Sequence, residues 1–310
     1  MTEILLEKLY DELNLTIKEV CDKKISVAFS GGLDSTLVAF ISKKYTDVEL
    51  IAVGIADSHD LKAAKSAADL VGMKLKTIEI QTSEMVAEGI EMRKQFDLTN
   101  IEVEFMLPFW IAAKNATNPI LMCGQGADEL FGGYARFRKE DAKINLKKEV
   151  DDLLDRIPER EKKITEFFGL ELSCPYLEEN FVRIAEKFSD EERIGKVGKE
   201  TLRKLALKFK LPKEIAGRKK KAAQYGSGSQ KAIKKIMKHK ISFSIKFDNE
   251  NIAKAILRAT EPENKGWVET ALHQNFIKAT IKADTLGSLR QTAEDFMACI
   301  SIAEKIAKKT

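Results

Sequence analysis

The chain reads as an α/β protein: a doubly wound parallel sheet with a helical extension, followed by a small two-layer α/β domain. Three observations predict this. Short apolar runs alternate with amphipathic helical stretches over roughly the first 120 residues. Two of those runs lead straight into glycine-rich turns, and beyond about residue 238 the period shifts to the apolar/polar alternation of a half-buried strand.

In chain order, Ile4, Leu5, Leu9, Leu13, Ile17 and Val20 recur at helical spacing, so residues 3–22 form an amphipathic helix. Lys24 to Ser30 is an Ile, Val, Ala, Phe run suited to a strand buried on both faces, and Ser35 to Lys44 is helical. Leu50 to Ile55 is a second strand, Leu61 to Val71 a helix closed by Gly72, and Leu75 to Ile80 a third strand. Pro119 to Cys123 repeats the pattern of an apolar strand running into glycines. Such alternation places ligands beyond the carboxyl ends of the strands.

From Phe137 to His239 the pattern is helical and charged, with stops near Pro158, Gly169 and Pro212, and Gly226 to Ser229 reads as a flexible link. Ile241 to Phe247 alternates as a half-buried strand and Asn249 to Arg258 is a helix. Val268 to Leu272 pairs with Phe276 to Ala283 as strands, and Leu286 to Lys308 is a closing helix. The expected domains are 1–238 and 239–310.

A length of 310 residues allows two or three domains with cores of their own. The four cysteines, Cys21, Cys123, Cys174 and Cys299, form no CxxC pair and have no His at zinc-site spacing, which points to a reducing cytosol and no structural zinc. The N-terminus mixes acids and bases from the start, unlike a secretory signal or transit peptide. The longest apolar stretch, Phe105 to Ala113, is broken by Pro108 and falls short of the roughly 20 residues that span a bilayer. A cytoplasmic protein is expected.

The net charge of +4 hides an asymmetry. Between Arg203 and Lys240, 14 Lys plus Arg face one acid, Glu214, a local +13 that leaves −9 for the rest. The block is either a set of solvated helix faces or the footprint of a phosphate-rich partner, nucleotide or nucleic acid.

Ser30-Gly-Gly-Leu-Asp-Ser35 lies between a buried strand and a helix, so successive backbone N–H groups and the helix N-terminus form a phosphate cradle. It lacks the lysine and spacing of GxxxxGK[ST]. Asp34, an acid inside an anion site, makes electrostatic sense if Mg²⁺ bridges carboxylate and phosphate. The second glycine element, Gly124-Gln-Gly-Ala-Asp-Glu-Leu-Phe-Gly-Gly-Tyr134, supplies Asp128 as a second carboxylate from a neighbouring strand end.

These residues carry a resemblance. SGGLDS resembles the pyrophosphate-binding loop of the ATP pyrophosphatase (PP-loop) superfamily, and GQGADELFGGY resembles the GEGxDExFGGY loop of the asparagine synthetase synthase domain. GLELSCPYLE, residues 169–178, is similar to that family's GxExRxPFLD. Gly198 to Arg203, Leu211-Pro212 and Arg218 to Lys220 are similar to its KxxLR, LP and RxK segment. About 225 residues are covered by four motifs in order.

The resemblance implies an adenine nucleotide alpha hydrolase-like fold and acyl-adenylate chemistry. A carboxylate attacks the α-phosphorus of ATP, pyrophosphate leaves, and an amine displaces AMP. Ser30, Gly31, Gly32, Asp34 and Ser35, with Gly124 and Gly126, would cradle the pyrophosphate. Asp34 and Asp128 would hold Mg²⁺, and Lys220 matches the family's catalytic lysine, set where charge grows as the α,β bond breaks. Val53 and Ile55, on the second strand, would offer backbone groups to adenine, with Asp57 beyond them.

Two departures fall on the acceptor side: Gln125 replaces the usual Glu of the GEG triplet, and Ser173 stands where an Arg is usual. The cysteine that opens the glutamine-hydrolysing domain of full synthetases is not at the start, so ammonia from the chain's own glutaminase is not expected. Residues 240–310 resemble the small dimerising subunit of the KEOPS tRNA-modification complex, through Ala259 to Asn264 and Ile281 to Arg290; homodimerisation or tRNA contact is implied.

The leading reading is an ATP-dependent, AMP-forming ligase or amidotransferase acting on a small carboxylic acid, with free ammonia or a partner-supplied amine. The alternatives are an ATP pyrophosphatase that adenylates a group on tRNA, and a non-catalytic nucleotide-binding scaffold. Thiolation is disfavoured because sulfur carriers present paired cysteines.

Overall fold

A computed structural model describes residues 2–138, 145–218, 227, 229, 239–264, 268–283 and 286–307. The chain divides into two compact units, Met1–Ile233 and Lys234–Thr310.

The first unit opens with α1 (Thr2–Val20), which buries Leu9, Leu13 and Ile17 at four-residue spacing. The alternation follows: β1 (Ile25–Ala28), α2 (Leu33–Ser42), β2 (Val48–Gly54), α3 (His59–Val71) and β3 (Leu75–Glu79). Gly72 closes α3 at φ 62°, a left-handed cap that glycine adopts without a Cβ penalty. Next come α4 (Thr82–Gln95) and α5 (Asn100–Asn115), then β4 (Ile120–Met122) and the short α6 (Ala127–Phe131). The charged stretch supplies α7 (Leu146–Leu154), α8 (Glu161–Phe167), α9 (Glu179–Ala185), α10 (Asp190–Ile194), α11 (Glu200–Lys208) and α12 (Lys213–Ala216). Between α8 and α9 lies β5 (Glu171–Ser173), a three-residue strand in a region whose sequence pattern is helical.

The sheet has the order β3-β2-β1-β4-β5, with every pairing parallel. Ile25, Ser26 and Val27 of β1 are all buried, as are Leu50 to Gly54 of β2, so both faces of these central strands are covered. The order reverses at β1 and β4, the switch point where doubly wound sheets leave a crevice between diverging loops. The two glycine elements follow those two strands.

Pro108 sits inside α5 and has no N–H to give the carbonyl of Glu104 one turn earlier. Ser229 takes that place: its Oγ donates to Glu104 O at 2.6 Å. Ser227 is also anchored, its carbonyl accepting from Ile55 N at 3.1 Å. Both serines are buried. The expected flexible link is therefore fastened at its two described positions, because a proline in the neighbouring helix leaves a carbonyl to be satisfied.

The second unit comprises β6 (His239–Lys246), α13 (Glu250–Asn264), β7 (Val268–His273), β8 (Phe276–Ala283) and α14 (Leu286–Ala307). Its sheet is antiparallel in the order β6-β8-β7. Phe243, Ile245, Ile277, Ala279 and Ile281 turn one face toward Ala253 and Ile256 of α13 and Phe296 and Ile300 of α14, giving two layers. Lys240, Ser242, Ser244, Lys246 and Lys278 alternate with these residues and are exposed. Among the described residues, no helix is long and apolar enough to cross a membrane.

Removing the Ser229 hydroxyl leaves the Glu104 carbonyl unpaired. Ser229→Ala is expected to lower unfolding stability by about 1–3 kcal/mol in urea titrations. The cost shrinks in the Pro108→Ala background, where residue 108 regains an N–H; equal losses in both backgrounds would refute the pairing.

Candidate functional site

The first loop is held open by its own hydroxyls. Ser35 Oγ accepts from Ser30 N at 3.3 Å and lies 3.3 Å from Ser30 Oγ, which accepts from Gly32 N at 3.4 Å. Gly32 is the N-cap of α2, so the free N–H groups of that helix face the loop. Beneath it, the buried Tyr176 donates its hydroxyl to Asp34 O at 3.0 Å. Gly31, at φ 69°, has no room for a Cβ, which would lie 2.4 Å from Ala63 O. Arg218 Nη1 donates to Gly31 O at 2.6 Å and to Ala63 O at 3.1 Å, tying α3, the loop and the segment after α12 together.

The second loop brings Asp128 to Asp34, and a lysine joins them. Lys199 Nζ lies 2.6 Å from Asp34 Oδ2 and 2.7 Å from Asp128 Oδ1, with its side chain only 5% exposed. Burial pulls the Lys199 ammonium below the ordinary lysine range, while Asp34 pulls it back up. Two glycines clear the space: a Cβ on Gly133 would lie 1.8 Å from Asp128 Oδ1, and one on Gly124 would lie 2.8 Å from Asp34 Cβ. Asp34 Oδ1 is buried without a hydrogen-bond partner. An orphaned carboxylate oxygen beside a second carboxylate is a hard donor set that fits Mg²⁺. Among the described residues there is no cluster of three or more potential metal ligands, so further ligands would have to come from a bound phosphate or water.

A cavity of about 690 Å³ opens over both loops, within the usual range for small-molecule sites. One end is lined by Phe29, Ser30, Gly32, Asp34, Ser35, Ile51, Val53 and Gly124. The other carries both signs of charge, from Arg136, Arg156 and Arg160 and from Glu129, Glu149 and Glu161, beside Phe105 and Phe109. Tyr134 donates to Glu129 Oε1 at 2.5 Å. Burial, followed by the Glu129 charge, pushes the Tyr134 phenol well up, so it remains a donor.

Gln125 has a partner that its sequence context does not announce. Its Nε2 donates to Glu161 Oε1 at 3.0 Å, and Glu161 is gripped by Arg160 through Nε at 3.2 Å and Nη2 at 3.0 Å. The acid and the base missing at positions 125 and 173 are both present in the cavity wall as this adjacent pair. Burial raises the Glu161 carboxyl and Arg160 opposes the shift.

Not every expected residue faces the cavity. Val53 lines it, whereas Ile55 does not and gives its N–H to Ser227 O. Gly31 packs on α3 and Gly126 on Leu177. Asp57 pairs with Lys62 at 3.1 Å and is exposed. Lys220 lies outside the described residues.

Lys199, Arg160, Glu161 and Arg218 line the cavity as well, and sequence reasoning gave them no role. Only Lys199 and Arg218 fell inside a motif, and no role attached to them. All four cysteines are free, and Cys123 and Cys174, 51 positions apart, bring their Sγ atoms to 3.5 Å at the ends of β4 and β5. The bond to Cys123, then burial, raises the Cys174 thiol well above its ordinary value.

Fold and site define a doubly wound α/β unit whose two glycine loops meet at the switch point over a carboxylate pair. The family model for asparagine synthase matches residues 8–157 and 148–283. The chain belongs to the asparagine synthase family. It is 33% identical over 271 residues to a glutamine-hydrolyzing asparagine synthetase homologue of Methanocaldococcus jannaschii, covering 73% of this chain and 50% of that one. It is 31% identical over 230 residues to the glutamine-hydrolyzing asparagine synthetase of Homo sapiens, covering 68% and 41%. The chain thus spans about half the length, or less, of these relatives. Among solved structures it is similar to an NMN synthetase from Francisella tularensis at 12% identity and TM-score 0.40, over 76% of this chain and 86% of that one.

Gln125→Glu, which restores the family's usual residue, would set a second, half-buried carboxylate against the buried Glu161. The pair would keep a proton when folded that the unfolded chain releases at the ordinary carboxylate pKa. Stability is therefore full at low pH and lost as pH rises through the folded pKa. The variant should be less stable than the parent by about 1–3 kcal/mol more at pH 8 than at pH 5 in denaturant melts; a pH-independent difference would refute the contact.

Proposed function

We propose that this chain is an ATP-dependent, AMP- and pyrophosphate-forming ligase that adenylates a small carboxylic acid and passes the acyl group to an amine, either free ammonia or one delivered by a partner. The observation that carries the reading is the convergence of Asp34 and Asp128, from two different strand ends, beside a hydroxyl-lined phosphate loop. Family membership supports the ATP chemistry.

In this reading adenine lies against Phe29, Ile51 and Val53, and the β- and γ-phosphates lie in the cradle of Ser30, Gly32, Ser35 and the α2 N-terminus. The acceptor occupies the two-signed end of the cavity, where Arg136 and Arg156 can orient a carboxylate toward the α-phosphorus. As that carboxylate attacks, the α,β bond breaks and pyrophosphate leaves into the cradle, whose N–H groups stabilise its growing charge. The amine then attacks the acyl carbon and AMP departs. Mg²⁺, held by Asp34 and Asp128, would neutralise charge on the polyphosphate. Lys220 is assigned the α,β-bridging cation; Arg218, two positions earlier, is bonded to the loop carbonyl of Gly31.

A second reading, adenylation of a group on tRNA in KEOPS-type modification, draws support from the open face of the second unit. There Lys240, Lys246 and Lys278 are exposed, and Lys246 Nζ lies 5.7 Å from the ring centroid of the exposed Phe276. Lysines beside an exposed ring suit a phosphate backbone with stacked bases. Homodimerisation through this unit would double that surface.

Exchange of pyrophosphate into ATP, driven by candidate amino acids or by total tRNA, separates the readings. Exchange with a carboxylic acid is expected, reduced at least about 100-fold in Asp34→Ala and Lys220→Ala. Exchange with tRNA alone would replace the first reading by the second, and copurified RNA should then be released by salt. Tight ATP binding with no exchange on any substrate would leave the nucleotide-binding scaffold.

A further inference from the structure

Lys199 is held with more structural investment than an ion pair requires. Its backbone is left-handed at φ 58°, a conformation L-residues seldom adopt. Its N–H donates to Phe131 O at 3.1 Å and its carbonyl accepts from Arg203 N at 2.9 Å. Gly133 must lack a Cβ, which would lie 2.4 Å from Lys199 Cε as well as against Asp128. All of this fixes one ammonium between two carboxylates at the starts of α2 and α6.

That placement changes what the carboxylates can bind. Alone, two adjacent carboxylates carry −2 and attract any divalent cation. With the ammonium between them the site carries −1, and an approaching bare cation meets a fixed positive charge. A cation already bound to polyphosphate arrives with surplus negative charge, which the ammonium attracts. Asp34 Oδ1, the buried oxygen without a hydrogen-bond partner, remains available to the metal in either case.

We propose that Lys199 is a resident counter-cation that makes the Asp34–Asp128 pair selective for a metal–polyphosphate complex over the free metal ion. This rests on the reading that the two acids face a metal-bound nucleotide. Lys199 acts here as a selectivity residue, through the acids it holds.

The test uses the full chain, Mn²⁺ and inorganic pyrophosphate. The free Mn²⁺ signal in electron paramagnetic resonance, read against protein-free samples holding the same pyrophosphate, reports binding without turnover. The parent protein should bind Mn²⁺ weakly alone and at least about tenfold more tightly with pyrophosphate present. Lys199→Met should bind Mn²⁺ alone about tenfold more tightly than the parent and lose most of the pyrophosphate enhancement; Lys199→Arg, which keeps the charge, should restore the parental order. Unchanged or weaker Mn²⁺ binding in Lys199→Met overturns the proposal. If that variant does not fold, the parent decides: a parent that binds Mn²⁺ equally well with and without pyrophosphate overturns it too. Failure of the ligase reading looks different, because pyrophosphate exchange would then be absent while the order of Mn²⁺ affinities persists.

Discussion

The contact among Lys199, Asp34 and Asp128 ties together parts of the chain that share no local structure. Asp34 follows β1, Asp128 follows β4, and Lys199 caps α11, so one ammonium connects two strand ends and the helical extension. Like charges so close would otherwise drive the loops apart, since each carboxylate raises the cost of ionising the other. The surrounding glycines follow from this contact. Gly124 and Gly133 are where side chains would collide with the three groups, so the second loop's composition is set as much by what must fit beside it as by its own turns.

A similar economy shows where Glu161 lines the cavity. A buried carboxylate is costly unless paired, and Glu161 is paired twice, by Arg160 and by the Gln125 amide. An amide at 125 is the neutral donor that such a carboxylate needs. The basic block also divides: Arg203 and Arg218 line the cavity, while Lys240 lies on the second unit's open sheet face.

The sequence revealed the parallel strands, the switch-point loops and the two acids, because each is encoded in a few consecutive residues: an apolar run, a glycine turn, a carboxylate beside it. Four features lay beyond it. Strand β5 is only three residues long and was hidden in a charged stretch, since its pairing with β4 stems from tertiary register rather than from pattern. Lys199 and Glu161 look like ordinary helix-start charges until long-range contacts give them partners. The Cys123–Cys174 pair is invisible to linear spacing because adjacent strand ends meet 51 positions apart. Ser229 seemed flexible for the same reason: its partner is the carbonyl that Pro108 leaves open.

The Arg218 bonds to Gly31 and Ala63 have a consequence for how the molecule is made. Synthesis runs from the N-terminus, so the first glycine loop emerges before the guanidinium that donates to its Gly31 carbonyl, 187 positions further on. Asp34 waits 165 positions for Lys199. Contacts of such sequence separation form late, after the loop-closure entropy between them has been met. A ribosome-bound intermediate thus holds the glycine loop and its acid without the cations that complete them, and the finished pocket needs the chain as far as Arg218.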